Sequence, residues 1–288
     1  MTGEQVRLIP GEDPDDVVGR AKAEHQPIRT YCLFSGGGDS MVTAHRCRDH
    51  YDELVFIDTG TAVPGVIEFV HEAAAWLGKP VRIMEQDFDA FRLLVLGGVD
   101  WKGDTWEALG FPGPAQHGRA YNRLKERQIE RLLREAKVGH PRSARVLSLT
   151  GVRRAESRRR AKREPINRKR AMVFANPLID WTGADMRRYR AEYDLPVSDV
   201  SALLHRSGEC NCGAFAVAGE ERAMMRDLWP DWWRERIEAL EAEAEAAGVR
   251  WCRWGGYDVD GNRAGTVTEA PGPLCESCVV RDGQLSIA

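Results

Sequence analysis

The segment Tyr31-Cys32-Leu33-Phe34-Ser35-Gly36-Gly37-Gly38-Asp39-Ser40 constrains this chain more than any other. An apolar run of strand length passes directly into three glycines, and a helix-compatible stretch from Met41 to Arg48 follows. Consecutive glycines open backbone conformations closed to other residues and let main-chain N–H groups approach an anion closely. A helix beginning just beyond adds the positive end of its dipole. The serine hydroxyls of Ser35 and Ser40 are further donors for phosphate oxygens. Asp39 repels phosphate by itself, so its place here implies that it orients the turn or helps hold Mg2+. The bland alternative is a glycine turn with no ligand.

From residue 28 onward, apolar strand patterns alternate with amphipathic helices. Strands are predicted at Thr30–Phe34, Glu53–Asp58, Val81–Met84 and Arg145–Thr150. Helices are predicted at Pro14–Glu24, Ser40–His50, Val63–Leu77, Asn122–Ala136, Gly183–Tyr193, Glu220–Met225 and Asp231–Ala247. Short buried strands separated by helices specify an α/β fold, a doubly wound parallel sheet covered on both faces. Such sheets bind ligands at the carboxyl ends of their strands, where Ser35, Asp58-Thr59-Gly60 and Gly151 all fall. The expected organisation is an N-terminal extension (1–27), a nucleotide-binding domain (28–200) and a helical, irregular cysteine-containing region (201–288).

No run of about 18 apolar residues is present, so no membrane partner is expected. Met1 to Gln5 lacks the basic and apolar regions of a secretory signal, and the expected compartment is the cytoplasm. In a reducing compartment, seven cysteines imply metal ligation or thiol chemistry in place of disulfides. The net charge of −3 conceals a run of ten Lys/Arg between Arg153 and Arg170, a pattern that attracts polyanions such as nucleic acid.

The loop resembles the Ser-Gly-Gly-x-Asp-Ser signature of the PP-loop ATP pyrophosphatases (adenine nucleotide alpha hydrolase-like), and the chain as a whole resembles their phosphoadenosine phosphosulfate (PAPS) reductase family. Further segments carry the likeness over residues 28 to 245: Phe56-Ile57-Asp58-Thr59-Gly60, Thr150-Gly151-Val152-Arg153-Arg154-Ala155-Glu156-Ser157 and Asn176-Pro177-Leu178-Ile179-Asp180-Trp181-Thr182. The resemblance implies an adenine nucleotide, ATP with Mg2+, held by Ser35, Gly36, Gly37, Gly38, Asp39, Ser40, Asp58, Thr59, Gly60, Gly151 and Arg153. It also implies a nucleotide-facing lysine, for which Lys125 is the nearest match. Asp39, Arg153 and Lys125 are the candidate catalytic residues. An arginine suits the role given to Arg153, because its planar fork binds phosphate oxygens bidentately. The segment at Trp181 is assigned to the fold, with Thr182 as N-cap and Asp185 completing a capping box.

Cys210-Asn211-Cys212 and Cys275-Glu276-Ser277-Cys278 form two tight pairs. Two such pairs make a four-thiolate site, with Cys210, Cys212, Cys275 and Cys278 holding Zn2+ or a [4Fe–4S] cluster. Cys252 is a substitute ligand, and Cys32 and Cys47 read as core residues. Sulfonucleotide reductases of the family attack sulfur with a cysteine in a Glu-Cys-Gly-x-His segment. Glu209-Cys210-Asn211-Cys212-Gly213 echoes part of that segment, without its histidine. The reading drawn from these departures is an enzyme that adenylates an acceptor with release of pyrophosphate. A sulfur donor then supplies sulfur to a nucleic acid or small molecule. The alternatives are a sulfonucleotide reductase and a non-catalytic nucleic-acid-binding module with structural zinc.

Overall fold

A computed structural model describes residues 11–100, 102–157, 160–216 and 218–264. Cys275 and Cys278, two of the four expected metal ligands, lie outside the described residues, as do Arg158 and Arg159.

The core is a six-stranded sheet of β1 (Arg29–Leu33), β2 (Glu53–Ile57), β3 (Val81–Met84), β6 (Val146–Leu149), β7 (Ile166–Lys169) and β8 (Met172–Ala175), in the order β3-β2-β1-β6-β8-β7. The two-residue strands β4 (Gly98–Val99) and β5 (Thr105–Trp106) form a separate hairpin. The chain starts at the sheet centre, winds outward through β2 and β3, and returns on the other side of β1 through β6. The β1–β6 junction is therefore a topological switch point, and the crevice above it is where open α/β sheets take ligands. Five strands run parallel; β7 is antiparallel to β8. The expected α/β fold with a doubly wound parallel sheet is thus present, with one antiparallel edge strand added. The edge strand arises inside the basic run, where Ile166-Asn167-Arg168-Lys169 has little apolar signal.

Strand residues alternate between two cores, as the period of two requires. Cys32, Leu54, Phe56, Leu147, Leu149, Val173 and Ala175 join the larger one, with α1 (Pro14–His25), α2 (Gly38–Arg46), α3 (Val66–Leu77), α4 (Phe88–Leu96) and α7 (Gly183–Glu192). Tyr31, Val55, Ile57, Val146 and Met172 face the smaller, which is covered by Ile129 and Leu132 of α6 (Arg127–Ala136). That helix is preceded by α5 (His117–Tyr121) and a π turn, Asn122–Glu126.

Local signals explain the helix starts. Asp13 caps α1, its carboxylate accepting from the Asp15 N–H at 2.9 Å. Thr182 caps α7, and Asp185 answers it across the expected capping box. Cys32 and Cys47 are fully buried, as expected of core residues, and burial pushes both thiols up.

The C-terminal helices α9 (Ala218–Leu228), α10 (Pro230–Trp232) and α11 (Ala239–Ala246) pack on the larger core. Residues 249–288 read in the sequence as an irregular tail held down by something other than a core, and of these the structure describes 249–264. Instead Cys252, Trp254 and Ala264 are buried. Trp254 donates its backbone N–H to Glu241 at 2.6 Å and its indole N–H to the Asn211 carbonyl at 2.7 Å. Cys252 is thus a core thiol. Among the described residues, no helix is long and apolar enough to cross a membrane.

Candidate functional site

The loop at the end of β1 is closed from within. Ser40, 7% exposed, donates its hydroxyl to the Gly37 carbonyl at 2.8 Å and accepts from the Ser35 N–H at 3.2 Å. The Ser40 hydroxyl therefore shapes the turn, while Ser35 remains half-buried at its start. Gly36 takes a left-handed φ of 77°, which a side-chain-bearing residue adopts only with strain. Gly37 is the N-cap of α2 and supplies no side-chain cap, so the first-turn N–H groups are left for a ligand or water.

Gly151, just beyond β6, comes so near that a Cβ there would lie 3.0 Å from the Asp39 carbonyl carbon and oxygen. This close approach lets Arg153 pass beneath the loop. Its Nη2 and Nε donate to Asp39 Oδ2 at 2.8 and 3.0 Å, and Nη1 donates to the Trp181 carbonyl at 3.3 Å. Arg153 is 1% exposed. Its guanidinium joins Asp39 of α2 to the Trp181 carbonyl at the start of α7. The same bonds show Asp39 orienting the turn. A magnesium ion at this carboxylate would be held through Asp39 Oδ1, because Oδ2 accepts twice from Arg153.

The end of β2 has a comparable internal network. Asp58 Oδ1 accepts the Gly60 N–H at 2.8 Å. Burial, with the carboxylates of Glu85 and Asp87, raises the Asp58 pKa against the opposing bonds from Gly60 and Gln86. Thr59 is fully buried; its hydroxyl donates to the Glu209 carbonyl at 2.7 Å and pairs with the Thr61 hydroxyl at 2.9 Å. Thr59 thus anchors the 207–211 segment, and its side chain is unavailable to adenine or ribose. Asn211, which sequence reasoning missed, holds the other end. Its side-chain amide donates to the carbonyls of Gly208 at 2.7 Å and Thr61 at 3.1 Å. Ser207 abuts Gly37, since a Cβ on that glycine would lie 3.1 Å from the Ser207 Cβ. The segment therefore runs from the β1 loop to the β2 end, across the carboxyl edge of the sheet.

Cys210 sits on this segment beside Lys125, whose ammonium is ion-paired with Glu209. Burial opposes the charge of Lys125, but Glu209 and the Cys210 sulfur outweigh it and raise its pKa. A hydrogen bond from the Cys212 thiol draws Cys210 down to about 6 against the opposing effect of burial, and Lys125 reinforces it. Cys212 moves the other way, well up, because its proton is committed to Cys210 and it is buried. Lys125, expected to face the nucleotide, is paired with Glu209 and lies beside the Cys210 sulfur.

Two of the four expected metal ligands are thus adjacent. Among the described residues, however, no three His, Cys, Asp or Glu side chains group to hold a metal, and the Lys125 ammonium competes with a cation for Cys210. Five of the eight described cations of the basic run are ion-paired. Arg153, Arg154, Arg160, Lys169 and Arg170 pair with Asp39, Asp180, Glu156, Glu126 and Glu130. A hollow between α4 and α11, lined by Phe88, Arg92 and Glu243, shares no residue with the loops and has Arg92 and Glu243 paired.

Residues 29–205 match the model of the phosphoadenosine phosphosulfate reductase domain. Among curated relatives, the phosphoadenosine 5'-phosphosulfate reductase of Alkalilimnicola ehrlichii is 26% identical over 178 residues, 59% of this chain and 64% of that protein. The Xanthomonas axonopodis reductase is 29% identical over 181 residues, 60% of this chain and 66% of that protein. The chain therefore spans just under two thirds of the length of these relatives. Among solved structures, PAPS reductase from Candida auris superposes with a TM-score of 0.46 at 20% identity, covering 67% of this chain and 85% of that one. The NAD synthetase of Campylobacter jejuni does so at 0.43 and 12% identity, covering 81% and 90%. With the family model spanning more than half of its residues, the chain belongs to the phosphoadenosine phosphosulfate reductase family.

Proposed function

We propose that this protein is a sulfonucleotide reductase that uses Cys210 as its nucleophile. This reverses the preference drawn from the sequence, where the missing histidine favoured adenylation and sulfur transfer. The observation that carries it is the position of Cys210, beside Lys125 on a segment stitched to both Gly37 and Thr59. A thiolate is the reactive form of cysteine, and a neighbouring cation favours it. The family of the chain and the names of its relatives point to the same chemistry.

In this reaction the Cys210 thiolate attacks the sulfur of an adenosine 5'-phosphosulfate. The S–O bond to the phosphate breaks, its electron pair leaves with the nucleotide, and Cys210 carries an S-sulfonate. An external thiolate then attacks the Cys210 sulfur, the S–S bond to the sulfonate breaks with release of sulfite, and a second external thiol reduces the resulting mixed disulfide to restore Cys210. Lys125 stabilises the thiolate before attack, and Glu209 holds Lys125 in place. Asp39 and Arg153 keep the glycine loop shaped for the phosphate. The nucleotide is held chiefly by backbone N–H groups, which need no reorganisation during displacement.

The test is intact-protein mass spectrometry after addition of adenosine 5'-phosphosulfate, with or without a 3'-phosphate, followed by dithiothreitol and sulfite assay. The expected result is a Cys210 S-sulfonate that yields sulfite, with both absent in Cys210→Ser. A wild-type protein that forms neither adduct nor sulfite overturns the reading. A second reading is favoured by the thiol–thiol hydrogen bond of Cys210 and Cys212. In it these residues are metal ligands together with Cys275 and Cys278, and the loop adenylates an acceptor. Stoichiometric iron or zinc lost in Cys212→Ser, with ATP–pyrophosphate exchange, would establish it.

A further inference from the structure

The variable position of the Ser-Gly-Gly-x-Asp-Ser loop is Gly38, the first residue of α2. A methyl group there would overlap Nη1 of Arg190 and lie 3.3 Å from its Cζ. The space that a side chain at position 38 would fill is thus already taken by a guanidinium arriving from α7. Arg190 is half-buried and, among the described residues, makes no side-chain hydrogen bond or ion pair. Its neighbours differ: Arg153 is bound to Asp39, Arg154 to Asp180, Arg206 to Glu221 and Lys125 to Glu209.

The placement of Arg190 is fixed by the helix that carries it. Tyr189 bonds the ring of His45 on α2 at 3.0 Å and meets the Trp181 ring edge-on at 5.5 Å. Tyr193 packs on both His45 and Tyr189, with centroids 5.1 and 4.5 Å away. This aromatic cluster holds α7 against α2. A guanidinium kept close to uncapped helix N–H groups, with no carboxylate of its own, is matched to an anion.

We propose that Arg190 is the anion-binding arginine of this loop, gripping the 5'-phosphate oxygens of the nucleotide above Gly38. The assignment rests on the sulfonucleotide reading of the site and adds to it the residue that recognises the 5'-anion. Arg190 takes the part expected of Arg153, from a different element and from the open side of the turn.

Calorimetric titration with adenosine, AMP, adenosine 5'-phosphosulfate and adenosine 3',5'-bisphosphate tests it. Arg190→Gln should weaken the three charged ligands by roughly ten- to a hundredfold, the usual span for losing a charge-assisted hydrogen bond. Adenosine should bind with unchanged affinity. Gly38→Ala should produce the same pattern by displacing the guanidinium. Gly38→Lys combined with Arg190→Ala should recover part of the loss, since a lysine at 38 can extend into the vacated space. Wild-type protein that binds none of the charged nucleotides overturns the functional reading as well. Wild-type binding with equal affinity in Arg190→Gln, an equal loss for adenosine, or a loss confined to the bisphosphate overturns the assignment of Arg190 alone.

Discussion

The glycine loop Ser35–Ser40 and the thiol segment 207–213 lie side by side at the sheet's carboxyl edge but are built on opposite principles. The loop is a local structure. A strand delivers it, a helix leaves it, and Ser40 closes it through partners within five residues. The thiol segment has no regular structure of its own, and its form comes from distant parts of the chain: Thr59 and Thr61 on one side, Trp254 on the other, and Lys125 beneath Cys210. A backbone cradle for anions can be local because every residue carries an N–H. A tuned thiol requires a cation, a second thiol and burial, which no short segment supplies alone.

Removing the buried charge beneath the loop should break this contrast most severely. Arg153→Met leaves Asp39, 22% exposed, without its buried partner. Because water reaches the carboxylate, the loss should fall below the about 3–5 kcal/mol of a fully buried pair. Chemical denaturation should show that loss, and nucleotide affinity should fall with it. The double variant Arg153→Met/Asp39→Leu should recover much of the stability but not the affinity.

Lys125→Met addresses the thiol segment alone. With the cation gone, Cys210 titrates higher, although its bond from Cys212 remains. Because the thiolate is the deprotonated form, the fractional loss is largest below about pH 6 and disappears as pH rises past the ordinary thiol range. The pH midpoint of iodoacetamide alkylation should move upward, with the rate clearly lower in acid, while AMP affinity changes little. An unaltered pH profile would separate Lys125 from Cys210.

The smallest effect is expected at Asp58. Asp58→Asn keeps the acceptor for the Gly60 N–H and removes a carboxylate that burial, Glu85 and Asp87 disfavour. The raised folded-state pKa makes Asp58 stabilising only at pH values low enough to protonate it, and that advantage is lost as pH rises through it. The variant should therefore match wild type in acid and be more stable at neutral pH, read as a small rise in Tm.

The parts legible in the sequence are those built from local signals. Glycines between an apolar strand and a helix located the loop, and Thr182 with Asp185 located the start of α7. Helix α4 was missed because Phe88-Asp89-Ala90-Phe91-Arg92-Leu93-Leu94 reads as a generic apolar stretch; Asp87, its N-cap, was the available cue. Arg153 stands out in the sequence, but only the fold reveals that its guanidinium is bound to Asp39 of the loop. No sequence spacing joins Arg190 to Gly38, or Lys125 to Cys210. Those meetings follow from α7 crossing α2 and from Lys125 on the π turn lying against the thiol segment.

The antiparallel strand β7 has one further consequence. Among the described residues it ends the sheet with one flank unpaired, and its final residues, Arg168 and Lys169, are exposed. An open sheet edge is a template on which another copy can add a strand and seed aggregation, and charged side chains at the rim oppose that pairing. Two copies meeting along this rim would set cation against cation. Part of the basic run that resembled a polyanion surface thus acts as a gatekeeper, keeping the sheet from growing beyond its own chain.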